Sequence, residues 1–445
     1  MVFRNLLNNA PHRTQAIHPT AHQRLFPTFP PYFLCTVVHQ PPMEICMNFK
    51  SVALFGLCCI AGLLSACGGQ NSNTDVAPDI PTQLSISQAL FEEKALSATG
   101  QLACASCHTD DRAHADALGT TLPLGGLTMK AQGFRSSPTL LYLETNRSFR
   151  FEGGQAFGGF TWDGRASSRA EQAAGPLLDP SEMANADAAA VAGKVRQLTY
   201  FKDFVSVFGL PTSPTDNQIF EKLKEALQAY QQLDPDYSLF NSKFDRYLDG
   251  NATLASDELR GLNLFNDENK GNCASCHISK TGTLGERPLF TNFSYAALGL
   301  PRNDQIQANL DPSFFDMGLC GPKRTDLMSR TDLCGQFKVP TLRNIELTAP
   351  YFHNASVATL EQAVSFYATR DLRPELWYPT LNGQVQKFND LPVALRSNVN
   401  MTRPFGQRPG DVPILSAQDV ADLVAFLRTL TDDRTAPSGT PLVKR

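Results

Sequence analysis

Apolar residues recur at helical spacing in several stretches of this chain and alternate at strand spacing in few. Ile219, Leu223, Leu227 and Tyr230 fall three or four apart, which places them on one face of a helix. Val420, Leu423, Val424, Leu427 and Leu430 repeat the pattern behind Ser416-x-x-Asp419, a capping box in which the two side chains satisfy amides that a helix start leaves unpaired. Leu360, Val364 and Tyr367 form a third stripe behind Thr359 and Gln362, and Ser256-Asp-Glu-Leu-Arg opens a fourth helix. Loops separate these short helices, so the pattern predicts a mostly α fold with long loops. One apolar run, at 51–64, is continuous rather than periodic, and it is too short to span a bilayer as a mature helix.

That run changes meaning once its flanks are read. Lys50 supplies a positive n-region, 51–64 the apolar h-region, and Leu64-Ser65-Ala66-Cys67-Gly68 a small-residue cleavage site, so 47–66 reads as a secretory signal beginning at Met47. Because a cysteine follows the small residues, the segment resembles a bacterial lipoprotein signal, with cleavage before Cys67 and a lipid anchor on it. The alternative is an ordinary secretory peptide with an incidental Cys67. Residues 1–46, Pro-rich and unpatterned, are expected to be a non-native extension, and 67–82 a polar tether.

The 445 residues exceed one ordinary domain, and 42% hydrophobic content with 18% charge suits a globular protein with sizeable cores. A net charge of −4, with no Lys/Arg cluster interleaved with aromatics, leaves nucleic acid no footprint. The chemistry lies in a duplicated pentapeptide, Cys104-Ala-Ser-Cys107-His108 and Cys273-Ala-Ser-Cys276-His277. C-x-x-C-H attaches haem c: two thiols form thioethers to the porphyrin and the adjacent His ligates iron. A single copy could be a zinc half-site or a dithiol, but two with the same inner residues are hard to read as either. Leu90-Phe91 and Leu264-Phe265 precede the two copies, which extends the similarity upstream. Two haem domains are therefore expected, 83–250 and 251–435, with a cytochrome-c-like fold. Export fits, since haem c is attached outside the cytoplasm and disulfides persist there. Cys320 and Cys334 remain once the haem and leader cysteines are set aside, and they are expected to close a loop, the alternative being two unpaired thiols.

Over about 83–435 the chain resembles the bacterial di-haem cytochrome c peroxidases and their relative MauG. The resemblance rests on both pentapeptides, Arg135-Ser-Ser-Pro-Thr139, Trp162-Asp163-Gly164-Arg165-Ala166, Gln172, Pro180-Ser-Glu182-Met183, Lys338-Val-Pro-Thr-Leu-Arg343-Asn344 and Pro350-Tyr-Phe-His353-Asn. It implies that peroxide reacts at the His108 haem, with Glu182 and Gln172 over the open face and Trp162 as an electron relay between haems. Heterolysis of a peroxide needs a proton moved from one oxygen to the other, and a positioned carboxyl can move it. Read without the family, Glu182 is a solvated carboxylate, Gln172 a helix-surface amide and Trp162 a buried interface aromatic.

Two departures from the family pattern matter. The gating His of the peroxidases, seven residues before Arg135, is Thr128 here, leaving His114 and Met129 as weaker candidates. Fourteen residues after His353, where the peroxidases place a Met ligand for the His277 haem, stands Tyr367, as in MauG. A phenolate favours oxidised iron. Without the register, Tyr367 is simply part of a helix core stripe. Calcium is a further candidate cofactor: Thr348 and Pro350 match the family's carbonyl donors, but its Asn is Ser136 here, which weakens a hard-oxygen site.

The expected protein is an exported, lipid-anchored periplasmic di-haem peroxidase. It would reduce hydrogen peroxide with electrons from a small cytochrome c or cupredoxin. One alternative is a MauG-like oxidation of residues in a partner protein. The other is a non-catalytic electron-transfer cytochrome, which would need sixth ligands on both irons. With four histidines in the mature chain, two already proximal, those ligands are scarce.

Overall fold

A computed structural model describes residues 82–115 and 122–434. The signal 47–66, Cys67 and all but the last residue of the tether 67–82 lie outside the described residues. Among those residues the helices are α1 (Gln83–Glu92), α2 (Arg169–Leu178), α3 (Ala188–Val195), α4 (Phe201–Val207), α5 (Asp216–Leu233), α6 (Lys243–Leu248), α7 (Ser256–Asn266), α8 (Leu360–Thr369) and α9 (Ala417–Arg428). The strands form only two-stranded antiparallel ribbons. The fold is mostly α with long loops, as the hydrophobic pattern predicts. No described helix is long and apolar enough to cross a membrane.

The predicted stripes form the cores. On α5, Ile219, Leu223, Leu227 and Tyr230 are buried, behind a Thr215–Gln218 capping box. They join Leu90 and Phe91 of α1, Leu177 of α2 and Val191 of α3 in one cluster. Capping boxes Thr359–Gln362 and Ser416–Asp419 open α8 and α9. These two helices share a second cluster with Phe265 of α7, Phe290 and Phe426. Gly261 lets α7 lie close on α9, because a Cβ there would stand 2.0 Å from the Asp422 carbonyl oxygen. Both clusters belong to one compact unit.

The duplication in sequence is a duplication in space. Each of α1 and α7 packs against a short 3-10 turn, Cys104–Ser106 and Cys273–Ser275, that starts its pentapeptide. Long loops then close over both turns. Arg343, fully buried, holds one of them by donating to both carboxylate oxygens of Asp245 on α6, at 2.9 and 3.0 Å, and to the Pro288 carbonyl. Cys320 and Cys334 are joined as a disulfide, the loop closure expected from the surplus pair.

Candidate active site: two cavities and the wall they share

Cys104, Cys107 and His108 line one cavity, of about 220 Å³; Cys273, Cys276 and His277 line another, of about 240 Å³. His108 Nδ1 lies 2.7 Å from the carbonyl oxygen of His114, and His277 Nδ1 lies 2.7 Å from that of Phe290. A carbonyl only accepts, so Nδ1 carries the hydrogen in both rings and each Nε2 keeps a lone pair. Burial lowers both imidazoles, His277 to about 4, and pushes the Cys104 and Cys273 thiols up to about 12. Neutral imidazole with a bonded Nδ1 is the form that ligates metal, and the surrounding walls are largely apolar. The residues present fit two covalent haems.

α2 and the turn after it build one wall of the His108 cavity. Ser168 caps α2 by accepting the Glu171 amide at 3.1 Å, and Gln172 borders the cavity one residue on. Pro176 lies in the last turn of α2; beyond it Asp179 accepts the Ser181 amide and hydroxyl at 2.9 and 2.7 Å, and the Glu182 amide donates to the Asp179 carbonyl at 3.0 Å. Gly125 lies so close that a Cβ there would meet the Ser181 carbonyl oxygen at 2.5 Å. Glu182 borders the cavity as an exposed residue, and desolvation by the protein around it, with the Asp179 charge, pushes its carboxyl up to about 7.

Neither Thr128 nor Met129 borders this cavity. The main chain of His114 is tied to the Nδ1 edge of His108, and its buried ring stacks on Tyr237 at 4.5 Å. In this arrangement neither gating candidate, His114 or Met129, borders the His108 cavity.

Trp162 borders both cavities, and its indole Nε1 donates to the Ser136 carbonyl at 2.8 Å. Around it the structure adds residues that the sequence offered only as motif letters. Lys338 also borders both cavities; it donates to the Gly159 carbonyl at 2.9 Å, and burial lowers its ammonium to about 8. Arg135 donates to Asp163 at 2.7 Å and to both oxygens of Asp316 at 2.6 and 2.7 Å. His353 is buried, stacks on Phe337 with centroids 3.4 Å apart and stands edge-on to Trp162 at 6.4 Å. Signals for these existed, since the motifs are dense in charge and aromatics, but spacing could not say which charges meet.

In the second cavity α8 presents Leu360, Ala363, Val364 and Tyr367 along one wall, facing the cavity that holds His277. The Tyr367 ring stacks on Phe405 at 5.2 Å, and the Arg370 guanidinium lies 3.7 Å from the Phe405 centroid. Burial raises the Tyr367 hydroxyl well above its ordinary range. Thr348 and Pro350 also border this cavity, and the carbonyl between them, on Ala349, accepts from the Arg112 guanidinium. Ser136, in place of the family's Asn, offers only a hydroxyl, which donates to the Phe352 carbonyl at 2.9 Å, so the residues present fit calcium poorly. Among the described residues no cluster of three or more His, Cys, Asp or Glu could hold a metal ion.

Comparison with known proteins agrees with this arrangement. A family model described as di-haem cytochrome c peroxidase matches residues 81–253. The methylamine utilization protein MauG of Paracoccus denitrificans is 32% identical over 397 residues, covering 86% of this chain and 96% of that one. Cytochrome c551 peroxidase of Nitrosomonas europaea is 29% identical over 392 residues, covering 87% and 91%. The crystal structure of the diheme peroxidase BthA from Burkholderia thailandensis superposes with a TM-score of 0.73 at 39% identity, over 81% of this chain and 90% of that one.

Proposed function

The chain belongs to the family of di-haem cytochrome c peroxidases and MauG, and from that membership we propose how its own residues run the chemistry. It is an oxidoreductase acting on peroxide, carries two covalently bound haems c, and exchanges electrons with a redox partner. Cys104, Cys107 and His108 would hold one haem, in a domain spanning 83–250. Cys273, Cys276 and His277 would hold the other, in a domain spanning 251–435. Bound iron supplies the centre at which peroxide is held and its oxidising equivalents are taken up.

Glu182 is the proton carrier in this reading. As a carboxylate it accepts the proton of the inner peroxide oxygen and delivers it to the outer one, which leaves as water. A carboxyl near 7 is suited to both halves of that transfer at neutral pH. Gln172, on the same wall, would orient the peroxide through its amide. Trp162 would pass electrons between the cavities, since it borders each. Tyr367 would be the second protein ligand of the His277 haem, giving up its phenol proton to do so. Carbonyl donors Thr348 and Pro350 contribute no step.

One observation carries the reading: a carboxyl tuned to neutral pH faces the His108 cavity, with an indole in the wall shared with the next cavity. It also weighs against a purely electron-transferring cytochrome, which has no use for such a carboxyl. The test is the oxidised holoprotein mixed with peroxide, followed by absorption and electron-paramagnetic spectra. An immediate change of a high-spin signal, lost in Glu182→Gln with both haems retained, supports the role. Reaction only after one-electron reduction contradicts an open site.

The MauG-like alternative, oxidation of residues in a protein substrate, draws support from Tyr367 lying in the His277 cavity and from the 32% identity to MauG. A small cytochrome c or cupredoxin as donor is the other route. We also infer a periplasmic protein held to a membrane by lipid on Cys67, on the strength of the 47–67 signal pattern.

A further inference from the structure

A loop from the far half of the sequence reaches the His108 cavity. Cys320 and Cys334, with Cα atoms 5.0 Å apart, close it at its base. Within it Arg324 donates to the Asp163 carbonyl at 2.9 Å and lies 3.7 Å from the Phe149 ring centroid, which fixes the loop against the segment that carries Trp162. The neighbouring Lys323 borders the cavity, with its ammonium 5.5 Å from the Phe134 ring centroid and paired with the carboxylate of Asp179. Asp179 is the residue whose carbonyl receives the Glu182 amide, so pair and proton carrier share one turn.

We propose that Lys323 is a positioning residue of the peroxide site: the disulfide-closed loop holds its ammonium on Asp179, where it opposes the effect of the Asp179 charge on Glu182. The proposal rests on Glu182 being the proton carrier. Two carboxylates on one turn would otherwise repel, and Glu182, whose proton affinity is already raised, would keep its proton. Burial alone would raise Asp179, yet the Lys323 and Ser181 contacts hold it below its ordinary range. Asp179 also raises Glu182, whereas Lys323 and Arg165 oppose that rise. Arg135 and Lys338 border the same cavity but are engaged elsewhere, on Asp163 and Asp316 and on the Gly159 carbonyl. Lys323 therefore reaches Glu182 directly as a charge and indirectly through Asp179. A surface salt bridge with no other role would do neither.

The holoprotein tests this with two readouts, the pH dependence of its reaction with peroxide and the infrared band of the protonated Glu182 carboxyl titrated without peroxide. Lys323→Met should move both inflections up by about one pH unit, the scale expected of one unit charge at partly buried distance. Asp179→Asn should move them down, and Lys323→Arg should leave them within about 0.3. Opposite shifts from two partners of one ion pair are not what simple loosening produces. The double variant C320S/C334S should shift in the direction of Lys323→Met; no shift would overturn the role of the disulfide. If Lys323→Met and Asp179→Asn both leave the inflections in place, with haem content unchanged, Lys323 has no such role. Glu182→Gln separates the two failures. An inflection that survives in Glu182→Gln overturns the proton-carrier reading itself, whereas one that vanishes there but ignores Lys323→Met overturns only this inference.

Discussion

At the scale of single residues the chemistry depends on protonation states. If Glu182 is the proton carrier, its competent form is the carboxylate, and a carboxyl raised to about 7 gives up its proton only near that pH. The rate of reaction with peroxide should therefore rise as pH rises through about 7, and flatten above. Glu182→Gln should remove that rise and lower the rate by about 10²- to 10⁴-fold, the range a positioned proton carrier contributes. Stopped-flow absorption across pH checks both. Tyr367 poses a different question, because burial keeps its phenol protonated unless iron displaces the proton. If it ligates, Tyr367→Phe should keep both haems but abolish the persistence of the oxidised species formed by peroxide. Oxidation of a donor cytochrome by that variant at the unaltered rate would sink the assignment.

Among the elements, α7 and α9 are the pair that seats the second haem motif, and their contact depends on Gly261. Its Cβ would meet Asp422 oxygen and Phe426 Cβ, neither a flexible chain end, so Gly261→Ala should cost about 1–3 kcal/mol from overpacking. Denaturant titration of the holoprotein would show it as a lowered midpoint. The capping box at Ser416 is smaller in effect: Ser416→Ala should cost about 1 kcal/mol. Helix α2 matters through its C-terminal end, which together with the Asp179 turn sets where Glu182 stands.

For the whole molecule the expectations concern coupling. Because Trp162 borders both cavities, Trp162→Phe should slow redox communication between the haems while each keeps its own spectrum. His277→Gly should disturb only one of the two haem spectra, as the cavities have separate proximal rings. Peptide mapping without reductant should recover Cys320 joined to Cys334, and two alkylated thiols from native protein would contradict the structure.

The sequence by itself determined the local features of this protein. Stripes on α5, α8 and α9, their capping boxes and the two pentapeptides are legible because they depend on neighbours three or four residues away, and helical periodicity makes those neighbours contacts. The surplus cysteine pair was legible by counting. Glu182, Gln172 and Tyr367 were visible only through resemblance, as a lone carboxylate, amide or phenol carries no periodic signal. Tertiary structure alone decided which distant charges meet: Arg135 with Asp316, Lys323 with Asp179, and Arg343 with Asp245. These pairs are joined by long loops whose path no local propensity sets, and the surroundings that raise the Glu182 carboxyl exist only after the loops have closed.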